Sequence, residues 1–89
     1  MDRERLATKL EDRFGRRGLR AVVRQAGDLA DSGRYADDVG ADLSVEAVVS
    51  NLEDAPEGYS LVECWNWWVG SLALSHGGYQ RFHVREDVV

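Results

Sequence analysis

A mainly α-helical single domain is predicted, and three observations predict it. Apolar residues recur at three- and four-residue spacing through four separate stretches of the chain. Glycine pairs or a proline punctuate each gap between those stretches. A serine followed three residues later by glutamate opens the longest stretch, as Ser60 and Glu63. The chain has 89 residues, enough for one core and too few for two. The domain therefore spans 1–89.

The elements follow in order. Helix 2–14 carries Leu6, Leu10 and Phe14, with Ala7 beside them, as a narrow stripe. Gly15 stops it, and Gly15-Arg16-Arg17-Gly18 is a short connection. Helix 19–32 presents Leu19, Val22, Val23, Ala26, Leu29 and Ala30, with Gly27 as a weak point. Ser32-Gly33 ends it. Residues 34–43 read as an acidic loop containing Asp37, Asp38 and Asp42. Helix 44–54 starts at Ser44 or Asp42 and faces inward with Val45, Val48, Val49 and Leu52. The only proline, Pro56, turns the chain.

Helix 61–76 runs from the Ser60 cap to Gly77-Gly78. Leu61, Val62, Trp65, Trp68, Val69, Leu72 and Ala73 keep helical spacing. Trp67, Cys64 and Leu74 lie off that face, so the helix is apolar nearly all round and reads as central and buried. Residues 79–84 alternate and read as a short strand or extended tail, which cannot stand alone. The alternative is an α+β fold with a three-stranded meander over 59–84, since aromatics also suit strands and Gly70-Ser71 and Gly77-Gly78 suit hairpin turns.

Charge narrows the class further. Sixteen acids face eleven bases, for a net charge of −5, and Lys9 is the only lysine. Short carboxylates with arginine in place of lysine suit concentrated salt, where screening relieves self-repulsion; a GC-rich genome gives the same arginine bias. Residues 1–35 hold nine bases and six acids, whereas 36–89 hold two bases and ten acids. That asymmetry is best used by packing the basic part against the acidic part, within one chain or in a second copy. No apolar run is long enough to span a membrane. The charged start, Met1-Asp2-Arg3-Glu4-Arg5, is no export signal. The lone Cys64 fits a reducing compartment, so a cytoplasmic protein is expected.

The candidate functional residues are few. Trp65, Trp67 and Trp68 lie within four positions. Trp65 and Trp68 belong to the core face, while Trp67 points away and, with Tyr79 and Phe82, is the expected protein interface. Asn66 is suited to bonding an indole N–H or a backbone group. Arg13, Arg16, Arg17, Arg20 and Arg24 are the candidate anion or nucleic-acid contacts, set against a plain solvated face with spaced ion pairs. On one helix Cys64 and His76 stand about 18 Å apart, which argues against a thiol–imidazole or metal site. No nucleophile–base pair, metal cluster or nucleotide loop is present, so neither catalysis nor a cofactor is expected. The acid spacing Asp37, Asp38, Asp42, Glu46 is not that of a calcium loop.

The Lys-poor, Asp- and Arg-rich composition and the segments Glu57-Gly58-Tyr59, Trp65-Asn66-Trp67-Trp68-Val69-Gly70-Ser71-Leu72 and Gly77-Gly78-Tyr79 resemble small uncharacterised proteins of halophilic archaea. The resemblance covers the C-terminal half and implies no activity. The expected function is a non-catalytic protein-interaction or self-association module, with a protein partner or a homodimer. The alternative is a nucleic-acid-associated regulatory protein using the arginines of the first two helices.

Overall fold

The computed structural model describes residues 1–86 and is built from five α-helices: α1 (Arg3–Phe14), α2 (Leu19–Ser32), α3 (Arg34–Val39), α4 (Val45–Glu53) and α5 (Leu61–His76). A 3-10 turn, Gln80–Phe82, follows α5. No strand occurs among the described residues, and the meander alternative is excluded.

Local chemistry sets the ends. Asp2 accepts from the Arg5 N–H to start α1, and Ser44, not Asp42, accepts from the Ala47 N–H to start α4. Both halves of the capping box at α5 are made: the Glu63 N–H donates to Ser60 Oγ, and the Ser60 N–H donates to Glu63 Oε1. Gly18 and Gly33 take left-handed backbone, with φ of 76° and 74°, where a side chain would be strained.

The helices pack in a ring in which α1 touches α2 and α4, and α5 touches α4 and α2. Leu6, Leu10, Val22, Ala26, Leu29, Val48 and Trp65 fill the centre with their side chains out of solvent. Basic α1 meets acidic α4 through Arg5–Glu46 and Arg13–Glu53. Arg3 crosses instead to Asp28 and Asp31 of α2. Its guanidinium lies over Gly27, where a Cβ would meet it at 2.3 Å. The glycine that weakens α2 thus admits an inter-helix ion pair.

Three expectations are corrected. Residues 34–39, read as loop, form α3. Tyr35 anchors it by packing edge-on against Trp68 at 5.9 Å. Arg34 Nε donates to Asp38 Oδ2, an i,i+4 pair at 2.8 Å. Residues 79–84 form no strand. Tyr79 and Phe82 stand three apart, and a 3-10 turn points both inward where a strand would point them to opposite faces. Helix α5 is not buried all round: Leu74 is 92% exposed and Trp67 36% exposed, both on one side of the helix. No helix among the described residues is long and apolar enough to cross a membrane.

Candidate functional site: the tryptophan–asparagine segment of α5

Four consecutive residues of α5 divide their work: Trp65 and Trp68 turn into the core, Asn66 meets the tail and Trp67 reaches the surface. Trp65 is fully buried, and its indole N–H donates to the Phe82 carbonyl at 2.8 Å. A buried indole without a partner would lose its hydrogen bond to water, so this contact fixes where the tail must lie. Trp68 packs edge-on against Trp65 at 5.5 Å, with the rings inclined by 75°. Edge-on contact sets the positive ring edge against the negative face.

Asn66 holds the tail from the side. Its Nδ2 donates to the Val84 carbonyl at 2.8 Å, and its Oδ1 accepts from the Val84 N–H at 2.9 Å. The amide supplies a donor and an acceptor to one residue's backbone, as a neighbouring strand would. The need for a second strand is met by one side chain. The expectation that Asn66 bonds a backbone group describes this contact, although its target is far along the chain.

The far end of the tail is tied by Arg34 and Asp38. The Tyr79 hydroxyl donates to Asp38 Oδ2 at 2.8 Å. Arg34 lies 5.0 Å over the Tyr79 ring and donates to the Gly77 carbonyl at the end of α5. A cation there complements the negative end of the helix. The Tyr79 and Arg34 hydrogen bonds hold the Asp38 carboxyl below its ordinary value. Burial, followed by the adjacent carboxylate, pushes the Tyr79 hydroxyl up to about 12. Composition gave no sign of Arg34 as a hub; its i,i+4 spacing to Asp38 was the available signal.

Of the expected interface residues, only Trp67 reaches the surface. Tyr79 is 0% and Phe82 4% exposed, so both belong to the core. Their rings pack on each other, with centres 6.2 Å apart, and are covered by Arg34 over Tyr79 and Arg81 over Phe82. Trp67 instead adjoins Tyr59, Glu63, Asn66 and Glu86 at a shallow depression. Further along the same side lie Gly70, Ser71 and Leu74.

The arginine set divides. Arg13 pairs with Glu53 and Arg16 with Glu11. Arg17, Arg20 and Arg24 are exposed and have no ion-pair partner among the described residues. Arg3, Arg16, Arg20 and Arg24 bound an open groove of about 780 Å³ between α1 and α2, with Leu19 and Val23 in its lining. Cys64 is buried, and its thiol is pushed up by burial and by Glu63. No group of three His, Cys, Asp or Glu side chains among the described residues is arranged to hold a metal ion.

Such an arrangement defines a small helical domain organised around a Trp-Asn-Trp-Trp segment, in which three of the four side chains fasten the interior and one is left at the surface. The chain belongs to the WNWW domain family, whose family model matches residues 1–73. No curated protein and no solved structure matches it. The match includes Trp65, Asn66, Trp67 and Trp68 and stops before the tail that Trp65 and Asn66 hold.

Proposed function

We propose that the protein is a non-catalytic protein-interaction module that presents the outer side of α5. One observation carries the reading: Trp67 and Leu74 stay exposed on one side of a helix whose other faces are packed. A monomer gains nothing from Leu74 at 92% exposure. Tryptophan is the side chain most often found at the energetic centre of protein contacts. The acidic, lysine-poor surface supports work in a salt-rich cytoplasm, where apolar contact persists and exposed ion pairs are screened. A photo-crosslinking residue at position 74 in native host cells should give discrete protein adducts, and the same residue at position 17 should not. Absence of adducts from position 74 would sink the reading.

A second reading rests on Arg17, Arg20 and Arg24. Arg20 and Arg24 line one groove and have no ion-pair partner among the described residues, an arrangement that suits phosphates, and Arg17 is exposed at the connection before α2. Titration with duplex DNA and with RNA at low salt tests it, since electrostatic attraction is then greatest. No binding there eliminates nucleic acid.

A further inference from the structure

The groove between α1 and α2 is marked by its charge. The chain carries sixteen acids and a net charge of −5, yet four arginines and no carboxylate among the described residues line this surface. Arg3 and Arg16 are already bonded, to Asp31 and Glu11. Arg20 and Arg24 are exposed and have no ion-pair partner among the described residues. They stand one turn apart, about 6 Å along α2. Leu19 and Val23 stand beside them at the same spacing, partly buried and packed against the core. Helix α2 thus offers two parallel rows, one basic and one apolar, and the small Ala7 of α1 lines the facing wall. None of these residues belongs to α5, so this surface is separate from the side that carries Trp67 and Leu74. Arg17 lies outside it.

The pairing of the rows selects the ligand. A phosphate backbone would use Arg20 and Arg24 and leave Leu19 and Val23 in water. An extended peptide would find no free edge to pair with, because α1 and α2 spend their backbone N–H and C=O groups within themselves. A helix carries its own backbone bonds and fits the groove between two packed helices. We propose that this groove takes an acidic amphipathic helix of another protein. Its Asp or Glu side chains at i and i+4 meet Arg20 and Arg24, and large apolar side chains in the adjacent row meet Leu19 and Val23. A second copy of the chain offers no such helix. Its acidic α4 buries Val45, Val48 and Leu52 and commits Glu46 and Glu53 to Arg5 and Arg13. Attraction between the charged rows steers the encounter, and the apolar contact holds the complex when salt screens those charges.

The probe is a synthetic peptide of about 14 residues, ~21 Å long as a helix, with leucine and glutamate in adjacent i,i+4 rows. Fluorescence anisotropy of the labelled peptide should show saturable binding to the full chain. The same composition in scrambled order should bind at least roughly tenfold more weakly. Arg20→Glu together with Arg24→Glu should weaken the glutamate peptide by a similar factor and create affinity for a peptide with lysine at the glutamate positions. Both arginines are exposed, so helical circular dichroism should be retained. Amide signals of Ala7, Ala21 and Val23 should shift on titration, while those of Trp67 and Leu74 stay. Absence of binding overturns the inference, as do equal binding of the scrambled peptide and binding that the charge reversal leaves unchanged. Shifts confined to Trp67 and Leu74 also overturn it and leave the α5 reading in place. Duplex DNA or RNA that binds more tightly than the peptide and moves the same α1 and α2 amides assigns the groove to nucleic acid, which overturns it as well.

Discussion

Asn66 and Tyr79 are the two residues on which the tail's position depends most directly. Replacing Asn66 by Ala removes both bonds to Val84 and leaves a backbone N–H and C=O without their partner. An unsatisfied buried polar group costs about 1–3 kcal/mol. Urea unfolding should register a loss in that range, and the Val84 amide should exchange much faster, while α1 and α2 amides stay protected. Tyr79 controls the pH limits. Unfolded, its hydroxyl releases a proton near 10.0; folded, it holds the proton to about 12. Its contribution is therefore complete below pH 10 and is lost as pH climbs toward 12. Asp38 acts at the other end. Its carboxyl is lowered first by the Tyr79 hydroxyl and then by Arg34, so its contribution is present above the ordinary 3.8 and is lost as acid protonates it. Tyr79→Phe should flatten the alkaline loss between 10 and 12 and soften the acid loss. Stability measured across pH checks both arms, and unchanged arms would show that the hydroxyl–carboxylate bond contributes nothing.

At the scale of elements, helix ends and faces were legible in the chain because their causes are local. Ser44, Ser60 with Glu63, and Gly77 each set a boundary through neighbours within a few residues. Helix α3 was hidden because its six residues owe their fold to Trp68, thirty-three positions after Tyr35. The tail misled for the same reason. Alternation over 79–84 suits a strand, but the groups that receive Tyr79 and Val84 lie on α3 and α5. The residues expected at an interface divide along this line: helical spacing sets Trp67 off the core face, and Tyr79 and Phe82 lie in the core with their segment. Mid-helix glycines also differ in kind. Gly27 accommodates Arg3, whereas nothing occupies the space at Gly70. Gly70→Ala should therefore raise the monomer's stability by about 1 kcal/mol, the ordinary propensity difference. Thermal unfolding in dilute solution measures it, and a fall would reveal a neighbour that the monomer does not show.

For the molecule as a whole, charge is arranged more than it is balanced. The basic start of the chain is drawn against acids of α4 by Arg5 and Arg13, as the lopsided distribution along the sequence suggested, whereas Arg3 pairs with Asp28 and Asp31 inside the basic part itself. Such exposed pairs contribute about 0.2–1 kcal/mol each and weaken with salt. The net charge of −5 repels itself in dilute buffer, and salt relieves that too. Added salt also strengthens apolar burial when the ion is one excluded from surfaces. Two of the three effects favour folding, so the midpoint of thermal unfolding should rise as sodium sulfate is added. A fall would mean that the ion pairs outweigh the core in holding the helices together.

The tie between Asn66 and Val84 has a consequence for behaviour in crowded solution. An extended terminal segment ordinarily presents a free row of amides and carbonyls on which another chain can grow a cross-β stack. Here Val84 already spends both groups on a side chain of α5, and the residues before it are coiled. One asparagine thereby withholds the template from which aggregation of this aromatic segment would begin.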